Sequence, residues 1–213
     1  MAEKPLHFSK NLGILNKKVK RKATFDRKTR ETNITCTINL DGTGKYDLST
    51  GIKFFDHMLE LFSKHSLIDL TLKAKGDVEV DDHHTVEDVA IVLGKCVDKA
   101  LGDKAGINRY GAAFVPMDES LARCVIDLSG RGHCVFHAEF SRPKVSDLST
   151  EMIEHFFKSM AENLKANIHI ELLYGKNNHH RSETIFKAFA LALREAVSLN
   201  PRILGVQSTK GNL

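Results

Sequence analysis

The 213-residue chain repeats itself, and the repeat limits its possible folds more than any local propensity does. The segment Asp82-His83-His84-Thr85-Val86-Glu87 is answered by Asn178-His179-His180-Arg181-Ser182-Glu183, so HHxxE occurs twice. Asp56-His57-Met58-Leu59 stands 26 residues before His83, and Glu154-His155-Phe156-Phe157 stands 24 before His179. Further back, Glu31–Gly44 aligns with Glu119–Gly132, with Glu, Cys, Ile, Leu and both Gly coinciding. Each copy is roughly 90 residues long, a supersecondary unit that must bury its apolar face against its twin.

Within each copy the hydrophobic period changes in the same order. Val89, Val92, Leu93, Cys96, Val97 and Leu101 follow the first HHxxE, and Ile185, Phe186, Phe189, Leu193 and Val197 follow the second. Those spacings of three and four belong to helices buried on one face. Asp82 and Asn178 precede these helices as candidate N-caps. Short apolar strands lie at Ile68–Leu72 and Ile168–Leu173, and the Gly-containing fours read as hairpin turns. The expectation is an α+β fold of two ββαβα halves, about 22–108 and 109–213, with helices packed on one face of a mixed sheet. No flexible linker separates the halves, which predicts one fused unit over residues 22–213 related by a pseudo-twofold axis.

The formal charge of +4 divides unevenly. Residues 1–30 hold ten basic and two acidic side chains, +8, and residues 31–213 hold 21 basic and 25 acidic, −4. The basic character therefore belongs to an N-terminal arm, residues 1–21, read as a solvated terminus. The mildly acidic body offers no nucleic-acid groove. No apolar run approaches the ~18 residues of a membrane span. Cys36, Cys96, Cys124 and Cys134 form no CxxC pair and read as small buried residues of a reduced, cytoplasmic protein.

Histidine is the surplus residue, at 11. On a helix, residues i and i+4 share a face, so His83 with Glu87, and His179 with Glu183, can converge on one ion. His84 and His180 are rotated by about 100° and must point elsewhere. With His57 and His155 the set comprises six His and two Glu, which predicts a pair of metal centres with four protein ligands each. His7, His65, His133, His137 and His169 lack the pattern. Imidazole and carboxylate without thiolate suit Mn, Fe, Co or Zn, and two open positions on an octahedral ion favour Mn(II) in a catalytic role.

FFDHML (Phe54–Leu59), DDHHTVED (Asp81–Asp88), GINRYG (Gly106–Gly111), PMDESL (Pro116–Leu121), DLSGRG (Asp127–Gly132), EHFF (Glu154–Phe157), NNHHRSETIFKAFALALR (Asn177–Arg194) and STKG (Ser208–Gly211) strongly resemble the imidazoleglycerol-phosphate dehydratase family of histidine biosynthesis. The resemblance runs from about Lys22 to Gly211. It implies a duplicated fold like the second domain of ribosomal protein S5, and a homo-oligomer of 24 subunits with active sites between them. It also implies two Mn(II) ions per active site on His57, His83, His84, Glu87, His155, His179, His180 and Glu183. The implied activity is that of a hydro-lyase, converting D-erythro-1-(imidazol-4-yl)glycerol 3-phosphate to 3-(imidazol-4-yl)-2-oxopropyl phosphate plus water.

Glu31 matches the family's acid–base carboxylate, and its repeat counterpart Glu119 reads as structural or as a support behind the ligands. Arg109, Arg131, Lys187, Ser208 and Lys210 match the family's phosphate-binding positions. Many relatives carry Gln four residues after the DHML histidine, where this chain has Leu61. A dinuclear metallohydrolase and a non-catalytic metal-storage shell are the competing readings. The first lacks a bridging Asp-rich pattern, and the second leaves the arginines without a role.

Overall fold

The structure, a computed structural model, describes residues 20–212. The first half runs β1 (Lys22–Lys28), β2 (Thr32–Asn39), β3 (Tyr46–Ser49), α1 (Lys53–Ser66), β4 (Asp69–Gly76) and α2 (His83–Leu101). The second runs β5 (Tyr110–Met117), β6 (Ser120–Asp127), β7 (His133–His137), a small hairpin of β8 (Lys144–Val145) and β9 (Leu148–Ser149), α3 (Glu151–Leu164), β10 (Asn167–Tyr174) and α4 (Asn178–Val197). Residues 1–19 of the expected arm lie outside the described residues. Arg21, assigned to the arm from sequence, belongs to the fold: it is 7% exposed and bonds Asp41 and the Val197 carbonyl.

The repeat is visible in the sheets. One has strand order β1-β2-β4-β3 and the other β5-β6-β10-β7. Cys36 pairs with Phe25 and Leu72, and its counterpart Cys124 pairs with Ala113 and Ile170. Inward Ile34, Cys36 and Ile38 alternate with outward Asn33, Thr35 and Thr37, as a half-buried sheet requires. The main sheet of each half carries one strand more than the ββαβα expectation, and the second half adds the β8–β9 hairpin. The extra sheet strands, β3 and β7, pair parallel to β4 and β10 at a sheet edge. At four and five residues, without a clean apolar alternation, they leave no periodic signal.

The helices lie between the sheets. α2 covers β1 and β2, α4 covers β5 and β6, and across the pseudo-twofold α2 packs on α3 and α1 on α4. Helices of opposite halves thus share one core. Six fully buried phenylalanines, Phe55, Phe62, Phe156, Phe157, Phe186 and Phe189, mesh there with ring centroids 5.0–5.8 Å apart. Gly111 lets β5 approach α4: a Cβ there would lie 2.0 Å from the Ala192 carbonyl oxygen.

After α4 the chain turns back along residues 105–109. Gly106 N–H donates to Gly205 O at 2.8 Å, Asn200 N–H to Gly106 O at 2.8 Å, and Asn108 N–H to Ser198 O at 2.9 Å. This strap carries Ser208 and Lys210 to Arg109.

Candidate active site

The HHxxE segments form the first turns of α2 and α4. The capping is one residue earlier than the sequence suggests: Asp81 accepts from His83 N–H and Asn177 from His179 N–H, both at 2.9 Å. Asp82 and Asn178 instead reach into the 141–149 segment. Asp82 accepts from the Ser149 hydroxyl at 2.9 Å, and Asn178 Oδ1 from the Ser141 amide at 3.2 Å. Asp147, from the same segment, caps α1 by accepting from Lys53 and Phe54 N–H at 2.7 and 2.9 Å. One loop therefore fixes the starts of three ligand-bearing helices.

Six of the eight candidate ligands gather into two clusters, His57 with His179 and Glu183, and His155 with His83 and Glu87. Within each, the offered donor atoms lie within 4.8 Å of one another. Each cluster is crossed: the lone histidine comes from α1 or α3 and the HxxxE pair from the opposite half. His179 Nε2 is 2.8 Å and His57 Nε2 3.1 Å from Glu183 Oε1. His155 Nε2 stands 3.2 Å from Glu87 Oε1 without hydrogen-bond geometry, so it is a buried nitrogen lacking a partner. An orphaned nitrogen among an imidazole and a carboxylate fits a divalent ion, which would accept its lone pair. Both donor sets, two His and one Glu, suit Mn(II) or a similar ion.

His84 and His180 join neither cluster among the described residues. His84 Nδ1 contacts the Asp77 carboxylate at 3.1 and 3.2 Å, and His180 Nδ1 contacts Glu119 Oε2 at 2.7 Å. Those carboxylates raise the pKa of each histidine. They also fix the tautomer, holding the proton on Nδ1 and leaving Nε2 free to coordinate. Asp77 had no signal in the sequence, since it lies outside every repeated motif.

Glu31 and Glu119 are treated differently by the fold. Glu119 also accepts from Lys176 and Asn177 N–H at 2.9 and 2.7 Å, and these bonds with His180 lower its pKa strongly. Glu31, half exposed on the β1–β2 turn, stands 3.8 Å from His84 Nε2. Leu61 is a half-buried residue packed on the core.

The candidate phosphate set separates. Arg109, Arg131, Ser208 and Lys210 line one cavity of about 720 Å³. Lys187 is not among its lining residues; its Nζ lies 2.5 Å from Glu183 Oε2, one helical turn away. Burial would raise the Glu183 pKa, but Lys187, His57 and His179 outweigh it and hold it at about 2. Asp127 binds Arg109 and was not singled out by sequence.

A duplicated α+β chain whose helix starts gather histidine and carboxylate twice over has the construction of a metal-dependent enzyme. Comparison with known proteins is specific within that class: residues 50–193 match the family model described as imidazoleglycerol-phosphate dehydratase. The chain belongs to the imidazoleglycerol-phosphate dehydratase family. It is 62% identical over 192 residues to that enzyme of Chloroherpeton thalassium, covering 90% of this chain and 98% of the relative. It is 59% identical over 194 residues to the enzyme of Clostridium acetobutylicum, covering 91% and 98%. The crystal structure of the Staphylococcus aureus dehydratase superposes with a TM-score of 0.77 at 38% identity, covering 84% of this chain and 99% of that one. That of the Pyrococcus furiosus enzyme, in complex with (S)-C348, gives 0.76 at 32% identity, covering 89% and 100%.

Proposed function

We propose that the chain dehydrates D-erythro-1-(imidazol-4-yl)glycerol 3-phosphate to 3-(imidazol-4-yl)-2-oxopropyl phosphate and water, in histidine biosynthesis, using two Mn(II) ions per active site. The observation that carries this reading is the pair of crossed His/Glu clusters, one with an orphaned buried nitrogen. His57, His179 and Glu183 would hold one ion and His83, Glu87 and His155 the other. When bound, such ions would supply Lewis-acid chemistry to the imidazole ring of the substrate.

The rest of the work falls to the chain. The carbon that loses its proton has no neighbouring carbonyl, so a base must be held close to it. Glu31, whose carboxylate no backbone amide ties among the described residues, takes that proton. The hydroxyl of the neighbouring carbon leaves with a proton as water, and the resulting enol tautomerises to the ketone. Glu119, clamped by two amides and His180, orients His180, and Asp77 orients His84. Arg109, Arg131, Ser208 and Lys210 bind the phosphate, the arginines by paired N–H donors.

One chain does not complete the site. Arg109 N–H donates to Ala196 O near the end of α4, and Glu183 lies near its start. At the helical rise, the 13 residues between them span about 20 Å, far longer than a three-carbon phosphate. The phosphate cavity of one copy therefore serves clusters of another, and His84 and His180 supply the fourth ligands across the same contacts. This supports a homo-oligomer, with 24 subunits the assembly proposed. Among the described residues no helix is long and apolar enough to cross a membrane.

The test is chelation followed by refilling. Activity on imidazoleglycerol phosphate should vanish with the metal and return as Mn(II) approaches two per chain by elemental analysis. A Mn-loaded protein that leaves this substrate intact overturns the proposal. Glu31→Gln should keep both ions while losing about 10²- to 10⁴-fold in kcat; loss of metal in that variant would make Glu31 a ligand instead.

A further inference from the structure

Arg109 is the most tightly constrained side chain of the phosphate cavity. Its backbone has φ +69°, a left-handed conformation for a residue with a Cβ. That backbone is pinned on both sides, since its N–H donates to Ala196 O at 2.9 Å and its carbonyl accepts from Leu128 N–H at 3.1 Å. Nε and Nη2 then donate to Asp127 Oδ1 and Oδ2 at 2.7 and 3.1 Å, and Nη1 to the Gln207 carbonyl at 2.7 Å. The guanidinium carbon also lies 4.8 Å from the centroid of the Tyr110 ring. Of the five N–H donors of a guanidinium, three are thereby used and two remain for a ligand.

A carboxylate beside a cavity that receives a phosphate weakens binding by charge alone, so Asp127 must return something else. Ionisation is not what it returns, because arginine stays charged without help. We propose that Asp127 is a positioning residue for phosphate recognition, holding the Arg109 guanidinium edge-on so that its two remaining donors face the cavity. The inference rests on the reading of that cavity as the phosphate site.

The repeat supplies an internal comparison. Arg21 precedes the residue paired with Asn39 as Arg109 precedes the one paired with Asp127, and its carbonyl likewise accepts from Leu40 N–H at 3.0 Å. Arg21 also binds one carboxylate through two nitrogens, Asp41 at 2.5 and 3.2 Å, and one distant carbonyl, Val197 at 2.5 Å. There the Arg21 side chain is buried, with Asp41 at the surface, and the assembly ties the start of β1 to the end of α4. In the second half it lines a cavity with Arg131, Ser208 and Lys210. Asp41 is therefore the control for a purely structural clamp.

The experiment uses Mn-loaded full-length enzyme, with KM for imidazoleglycerol phosphate and the inhibition constant of inorganic phosphate as readouts. Asp127→Asn should raise both about tenfold, with kcat within about threefold and metal content unchanged. Asp41→Asn should lower thermal stability and leave both constants in place. In an Arg109→Lys background, Asp127→Asn should add little, because a point cation has no edge to orient. Should Asp127→Asn fail to fold, Asp127→Glu, which keeps charge but moves it by one methylene, should show the same rise. If Arg109→Lys raises KM and neither Asp127 variant does, the positioning role is overturned and the phosphate site stands. If Arg109→Lys changes neither constant, the phosphate reading fails with it.

Discussion

An ammonium group one helical turn from Glu183 decides how that carboxylate meets a dication. Lys187 lies 2.5 Å from Glu183 Oε2 and competes directly for the negative charge a metal would use. The other cluster has Ile91 at the matching place after Glu87, so the two clusters are unequal electrostatically. Lys187→Met should tighten divalent-ion binding at His57, His179 and Glu183 by about three- to tenfold and leave the second cluster unchanged. Calorimetric titration of chelated protein with Mn(II) resolves the two affinities; weaker binding at the first cluster would show that Lys187 supports the metal. Sequence reading places Lys187 by family position, which fixes its helix face but not which of two anions it meets. The ligand residues themselves were legible because they recur. Asp77 was not, because it lies outside the repeat, and Asp127 was not, because its counterpart in the first copy is Asn39 and the position does not recur as a carboxylate.

The helices and sheets explain what spacing can and cannot reveal. An i,i+4 pair identifies one face of one helix. It does not say which helix stands opposite, so the crossing of His57 to α4 and His155 to α2 became visible once α1–α4 and α2–α3 packing was known. The amphipathic helices and the alternating β2 were readable from hydrophobic period. The edge strands β3 and β7 were not, since they bury little and pair through backbone bonds. The contact of β5 with α4 gives a sharp test of this layer. Gly111→Ala puts a methyl against Ala192 O, which must force strand and helix apart and cost about 1–3 kcal/mol. Urea denaturation measures it, and a shift below about 0.5 kcal/mol would mean the interface yields freely.

For the whole molecule, the proposed assembly would make catalysis a property of neighbouring copies, since cavity and clusters are separated along α4. Two inactive variants test this, Arg109→Ala with intact clusters and Glu183→Gln with an intact cavity. Each alone should lose about 10²-fold or more. Dissociated together and reassembled with Mn(II), they should regain a measurable part of the activity, because some contacts then join a sound cavity to a sound cluster. Native mass spectrometry checks that mixed shells formed, and mixed shells without recovery would place the whole site in one chain.

The crossed clusters also bear on how such a chain could arise. A fragment ending near Gly102 holds His57 and the His83–Glu87 pair but completes neither cluster, since each borrows its remaining members from residues 155–183. Two copies of that fragment, docked with α1 of one beside α2 of the other, would complete both. A half-length ancestor would thus have been inert alone and metal-binding as a symmetric pair. Joining such a pair into one polypeptide would preserve that dependence and free its two members to differ, as Lys187 and Ile91 do at matching places.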